Sequence, residues 1–133
     1  MAQVPVISIV DDDASVRGAT ARLLRVLGFS ACEFASAKEF LLSSRLNDTA
    51  CLIADVEMPG MSGVELQERL IAHGNSTPII FITAFPEDRL RERAMRAGAV
   101  GFLSKPFDEL QLLECVERAL MRRQDAAGPG TVE

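Results

Sequence analysis

Asp11, Asp12, Asp55, Thr83 and Lys105 carry the chemistry open to this sequence, and each closes or follows a short apolar run. Val4-Pro5-Val6-Ile7-Ser8-Ile9-Val10 leads into Asp11-Asp12-Asp13, and Cys51-Leu52-Ile53-Ala54 leads into Asp55. Pro78-Ile79-Ile80-Phe81-Ile82 leads into Thr83-Ala84, and the run from Val100 to Ser104 leads into Lys105-Pro106. If these runs are neighbouring strands pointing the same way, their ends deliver at least three carboxylates and one ammonium into one crevice. Like charges a few ångströms apart do not all stay ionised unless a cation or a proton joins them. Lys105 alone does not balance Asp11, Asp12 and Asp55. A hard divalent cation with oxygen ligands does. Mg²⁺ is the natural choice, because carboxylates, waters and phosphate oxygens commonly hold it together, and Mn²⁺ accepts the same donors. The acids also exclude a nucleotide or flavin cradle, which needs Gly-rich backbone after the first strand. Neither GxGxxG nor GxxxxGK[ST] occurs there.

The elements that must position these residues alternate along the chain. After the first strand, Val16, Ala19, Leu23, Leu24 and Leu27 recur at helical spacing, and Gly28 suits the position just past a helix end. Phe29 to Phe34 reads as a weaker strand. Ser36-Ala37-Lys38-Glu39 reads as a capping box opening a helix through about Ser44, and Ser62-Gly63-Val64-Glu65 as a second one. The helix after Ser62 is expected to turn Leu66, Leu70 and Ile71 inward and to stop at Gly74. Pro86 to Gly98 bounds a fourth helix whose apolar side is thin, made of Leu90, Ala94 and Ala97. Asp108 with Gln111 caps a fifth, carrying Leu112, Leu113, Val116, Ala119 and Leu120. A β-α order repeated five times predicts an α/β fold: a parallel sheet with helices on both faces and right-handed crossovers. Such folds place their site outside the carboxyl ends of the strands, where the residues named above stand.

The whole-chain quantities fit one such domain. At 133 residues, 48% hydrophobic and 25% charged, the chain has room for one domain and too much apolar material for a disordered tail. Its net charge is −5, so nucleic-acid binding by these residues is disfavoured. No apolar run approaches the ~18 residues of a membrane span, and the first twenty residues lack a signal-peptide pattern. Cys32, Cys51 and Cys115 are odd in number and widely spaced, with no CxxC. They read as inert thiols in a reducing compartment, so a cytoplasmic protein is expected. The single histidine, His73, sits near a helix C-terminus and reads as solvated. An internal phosphohistidine relay is therefore not expected.

Taken together, Val10-Asp11-Asp12-Asp13, Asp55-Val56-Glu57-Met58-Pro59-Gly60-Met61-Ser62-Gly63, Thr83-Ala84, Ala97-Gly98-Ala99 with Phe102, and Lys105-Pro106-Phe107 resemble the response-regulator receiver domain of two-component signalling. The resemblance covers residues ~5–121. The Val-Asp-Asp-Asp opening and Lys105-Pro106-Phe107-Asp108 are most similar to the FixJ-like subgroup.

The resemblance implies a flavodoxin-like (βα)5 doubly wound sheet in strand order 2-1-3-4-5. It implies a switch, not an enzyme, that accepts a phosphoryl group from a sensor histidine kinase. Asp55 would be the phosphoacceptor. Asp12, Asp55 and the backbone carbonyl of Glu57 would hold Mg²⁺, with Asp11 acting through water. Lys105 would pair with phosphoryl oxygens, and the Lys105-Pro106 bond would be cis. Thr83 would donate its hydroxyl to the phosphoryl group, vacating space for Phe102 as the aromatic switch. The signal would leave through the fourth helix, fifth strand and fifth helix. Asp13 reads instead as a helix cap.

Arg89, Arg93 and Arg96 form an i, i+4, i+7 stripe on the fourth helix. The stripe is either a solvated face or a surface for a partner, including a second copy after phosphorylation. A phosphatase of the haloacid-dehalogenase type also uses Asp, Mg²⁺, Thr and Lys. Its Asp-x-Asp follows the first strand, however, whereas here Asp55-x-Glu57 follows the third. Residues 1–123 are expected to form the receiver unit. Residues 124–133 have linker composition and are expected to be a flexible tail or the start of a linker to a removed DNA-binding output domain.

Overall fold

The computed structural model describes residues 4–132, and the side chains as far as residue 122. Ten elements alternate: β1 (Val6–Val10), α1 (Ala14–Val26), β2 (Ser30–Phe34), α2 (Ala37–Leu41), β3 (Cys51–Asp55), α3 (Gly63–Ala72), β4 (Ile79–Thr83), α4 (Asp88–Arg96), β5 (Gly101–Ser104) and α5 (Glu109–Val132). The strands form one parallel sheet in the order β2-β1-β3-β4-β5. The chain leaves β1 for β2 on one side and returns to β3 on the other. The carboxyl ends of β1 and β3 therefore flank the point where the winding reverses.

Every residue of β3 and of β4 is buried, as near-continuous apolar runs require when helices cover both faces of a sheet. Alternate strand residues feed two cores. Ile7, Ile9, Cys51, Ile53, Ile80 and Ile82 pack under α1 and α5, against Ala21, Leu24, Leu112, Val116 and Ala119. Val10, Leu52, Ala54 and Phe81 pack under α2, α3 and α4, against Phe40, Leu66, Leu70 and Ala94. Each large side chain fully buried in this way stabilises the fold by roughly 1.5–3 kcal/mol.

The caps follow the sequence closely. Asp13 caps α1, its Oδ1 accepting from the N–H groups of Ser15 and Val16 at 2.9 and 3.2 Å. Ser62 and Glu65 complete a reciprocal capping box. Asp108 and Gln111 exchange bonds at 3.0 and 2.7 Å. At the α2 cap Ser36 accepts from the Glu39 N–H, but the Glu39 carboxylate accepts from Ala35, one residue outside the expected box.

Three expectations are corrected. α2 ends at Leu41 rather than near Ser44, and a turn follows it. α4 begins at Asp88, not at Pro86, and its N-cap Glu87 makes no side-chain cap bond. Ile71 is 53% exposed while Leu66 and Leu70 are buried, because the buried stripe of α3 also takes in Val64 and Gln67 and turns Ile71 away. Separately, the helical backbone of α5 runs on to Val132, taking in the Gly-Pro-Gly stretch that composition reads as linker. A helix already nucleated and packed by Leu112, Val116 and Ala119 extends without a second nucleation step. Glu133, the last residue of the expected tail, lies outside the described residues.

Candidate functional site

Asp11, Asp12 and Asp55 each offer a carboxylate oxygen, and these oxygens lie within 4.8 Å of one another. Asp11 is the next residue after β1 and Asp55 is the last of β3, strands that pair directly. Asp11 is fully buried, Asp55 is 5% exposed and Asp12 faces solvent. Lys105, just past β5, reaches over the sheet end. Its Nζ donates to Asp11 Oδ2 at 3.1 Å and to Asp55 Oδ2 at 3.2 Å. The Lys105-Pro106 peptide is cis.

The electrostatics are those of an acid-rich, half-closed cleft. Burial pushes the Asp55 carboxyl up, the neighbouring Asp11 charge pushes the same way, and the bonds from Lys105 and the Glu57 N–H pull back only in part. The result is a pKa raised to about 6. Burial lowers the affinity of Lys105 for its proton. The hydrogen bonds and charges of Asp11 and Asp55 outweigh that, and its pKa lies above the ordinary value. One ammonium therefore leaves the cluster under-neutralised. A donor set of oxygens alone, carboxylates among them, fits a hard divalent cation such as Mg²⁺.

The turn after β3 folds back over the Asp55 side chain. The Glu57 N–H donates to Asp55 Oδ1 at 3.2 Å, and the Gly63 N–H donates to the Val56 carbonyl at 2.9 Å. Gly63 touches the end of β3 so closely that a Cβ there would lie 2.4 Å from the Asp55 carbonyl oxygen. Only glycine fits at that position.

Thr83 closes β4 and is fully buried. Its hydroxyl donates to Glu57 Oε1 at 2.9 Å and accepts from the Phe85 N–H at 3.0 Å, so it is engaged with Glu57 rather than with Asp55. Phe102 of β5 is half-buried, its ring centroid 6.2 Å from that of Phe81. It lies on the same side of the sheet as the core under α4.

The structure thus brings Asp11, Asp12, Asp55 and Lys105 together, with Thr83 and Glu57 joined beside them. Asp13 is used as a cap. Arg89, Arg93 and Arg96 are exposed on α4 and take no part in the cluster. Arg93 pairs with Glu68 of α3, and Arg96 lies 4.0 Å from Glu92. His73 is exposed, its Nδ1 2.8 Å from the Arg69 carbonyl. Cys51 and Cys115 are buried free thiols and Cys32 a half-buried one.

Two contributions were not legible in the sequence: the close contact of Gly63, which figures there only as part of longer motifs, and the bond made by Arg17. Gly63 stands at the first position of α3, where helix formation does not call for glycine, and that mismatch is the signal that would have marked it. Arg17 donates to the Asp11 carbonyl at 2.7 Å, a contact that spacing along a helix does not announce.

Comparison with known proteins gives a consistent picture. A family model described as response regulator receiver domain matches residues 7–117. Nodulation protein W of Bradyrhizobium diazoefficiens is 41% identical over 117 residues, which make up 88% of this chain and 52% of that protein. Among solved structures, the response regulator StyR superposes with a TM-score of 0.87 at 44% identity, covering 94% of this chain and 63% of that one. FixJ-N gives 0.81 at 37% identity, covering 90% and 96%. The chain spans about half the length of the curated relatives it matches.

Proposed function

The chain belongs to the response regulator receiver domain family, and from that membership we propose that it is a phosphorylation-activated switch with Asp55 as the phosphoacceptor. Receivers of this kind are regulatory signalling domains of two-component systems rather than metabolic enzymes. The observation that carries the residue assignment is the ion bridge at the sheet end. A buried Asp55 carboxylate shares Lys105 with Asp11, with Asp12 within reach of the same point.

In this reading an Asp55 oxygen attacks phosphorus in line. The bond from phosphorus to the histidine nitrogen of a sensor kinase breaks, and an acyl phosphate forms. Protein side chains have little covalent work in such a transfer; orientation and charge stabilisation dominate. Lys105 neutralises phosphoryl oxygens and holds Asp55 in place. The Glu57 N–H orients the second Asp55 oxygen. Mg²⁺ held by Asp12, Asp55 and the Glu57 carbonyl, with Asp11 through water, would supply the remaining positive charge, and Mn²⁺ fits the same donors. Thr83 would exchange its bond to Glu57 for one to the phosphoryl group. Phe102 would turn into the space so freed, and the α4-β5-α5 face would carry the change outward.

Residues 1–123 make up the receiver unit in this proposal, and 124–133, whose backbone continues α5 as far as Val132, would lead as a linker toward a DNA-binding output domain outside this chain. The phosphorylated face would favour a homodimer through α4 and β5, with Arg89, Arg93 and Arg96 at its surface. These residues themselves would not bind nucleic acid. No helix among the described residues is long and apolar enough to cross a membrane, and we place the protein in the cytoplasm.

The deciding experiment is incubation with acetyl phosphate and Mg²⁺ followed by intact mass measurement. A gain of one phosphoryl group, lost in Asp55→Asn and in excess chelator, is expected. No gain, or a gain that survives Asp55→Asn, overturns the proposal.

A further inference from the structure

Asp11 is held at every polar group it has. Its N–H donates to the Phe34 carbonyl at 3.1 Å, Oδ1 accepts from the Asp13 N–H at 2.9 Å and Oδ2 from Lys105 at 3.1 Å. The remaining group, its backbone carbonyl, is held by Arg17 of α1, whose Nη1 donates to it at 2.7 Å. The Arg17 side chain is only 17% exposed, and its Nε lies 3.4 Å from Glu33 Oε1 on β2. A guanidinium beside a site built to attract a cation is unfavourable by Coulomb's law unless its charge is offset. Glu33 provides that offset. Glu33 is in turn 4.0 Å from Arg25, which donates to the Ala31 carbonyl at 3.1 Å and so ties the pair to the β2 backbone.

We propose that Arg17, oriented by Glu33, is a positioning residue that fixes the acidic turn after β1, and that it thereby sets the affinity of the Asp11-Asp12-Asp55 cluster for a divalent cation. The inference rests on the metal reading above. Two effects of Arg17 oppose each other. Its charge disfavours a cation nearby, and its hydrogen bond holds the carboxylate-bearing turn in the arrangement that receives one. Glu33 screens the charge and leaves the hydrogen bond, so the positioning effect wins. Partners that orient a ligand-bearing segment change metal affinity by roughly 10–100-fold when removed.

The test is Mg²⁺ binding to the unphosphorylated protein by isothermal titration calorimetry, with thermal unfolding in chelator as the control for folding. Arg17→Met is expected to weaken Mg²⁺ binding about tenfold or more. Arg17→Lys, which keeps one donor, should recover part of that loss. Glu33→Gln, which leaves the guanidinium unscreened, should weaken binding by a smaller factor. If Arg17→Met does not fold, the other two variants still decide the matter. A purely structural role would lower the unfolding temperature of all three while leaving the Mg²⁺ affinity of the folded protein unchanged, and that result overturns the inference. Tighter Mg²⁺ binding by Arg17→Met also overturns it, since charge would then outweigh position. Wild-type protein that binds no Mg²⁺ brings down the metal reading, and this inference with it.

Discussion

Gly63 and Asp55 show how much of the site is decided by single atoms. A methyl group on Gly63 would meet the Asp55 carbonyl oxygen at 2.4 Å, and backbone, not a flexible side chain, stands in the way. Gly63→Ala is therefore expected to cost about 1–3 kcal/mol in urea unfolding, and to slow phosphorylation by acetyl phosphate because the end of β3 must shift. Asp55 makes a second prediction. Its folded pKa of about 6 exceeds the ordinary 3.8, so the folded state holds its proton more tightly than the unfolded chain does. The stability this group contributes is full below pH 3.8 and is lost as pH rises through 6. In chelator, wild type should lose stability across that window, and Asp55→Asn should lack that loss. The variant should also be more stable at pH 7 by about 1–2 kcal/mol, after discounting for solvent screening. Unfolding temperatures from pH 4 to 8 check both statements. At this scale, residue type and position after a strand were enough to find Asp11, Asp12, Asp55, Thr83 and Lys105. The bond from Thr83 to Glu57 was not legible, because it joins two strand ends 26 residues apart through side chains whose rotamers depend on the packed site.

α4 is the helix held least firmly from beneath. Ala94 is its single buried residue, and its N-cap carries no side-chain bond. What ties it down lies toward its C-terminal end. Gln67 of α3 donates to the Ala94 carbonyl at 3.1 Å, and Glu68 pairs with Arg93. The N-terminal turn has no hydrogen bond or ion pair of this kind among the described residues, and the half-buried Leu90 is what packs from it against the core. Hydrogen exchange is therefore expected to be faster in α4 than in β4, and fastest in its first turn. Equal protection in the two elements would refute that. Because the Arg93–Glu68 pair is exposed, Arg93→Glu should change stability by about 1 kcal/mol or less. Its effect on phosphorylation-dependent self-association, read by light scattering, should be the larger one. Element type was legible throughout, since the runs switch cleanly between strand and helix periods. Boundaries were less so. Pro86 suits a helix start by its own geometry, but α4 opens at Asp88. Ile71 fits an apolar stripe by spacing, yet α3 rolls to bury Gln67 against α4 instead.

Across the whole molecule, the excess charge is concentrated. Asp11, Asp12, Asp13, Asp55 and Glu57 are five of the nineteen acids, and the fourteen that remain equal the fourteen bases. A chain neutral elsewhere gains most from a cation at this one place. Mg²⁺ at 100 times its dissociation constant should stabilise the folded state by about 2.7 kcal/mol. That stabilisation should disappear in Asp12→Asn, as thermal unfolding with and without Mg²⁺ will show. The order of the sheet, its parallel sense and the meeting of strand ends all followed from the alternation of elements and its resemblance to receivers. The course of α5 past Arg123 did not, because the Gly-Pro-Gly composition there speaks for a linker while helix propagation carries the backbone on.

The bridge from Lys105 to Asp11 spans 94 residues, and that to Asp55 spans 50. A ribosome adding roughly 5–20 residues per second needs about 3–10 s to travel from Asp55 to Lys105. For that interval the nascent chain carries the Asp55 carboxylate without the ammonium that bridges it to Asp11. Under the proposed function, acceptor and ammonium meet only once β5 and Lys105 have been made, so a chain that stops before β5 is expected to stay unphosphorylated.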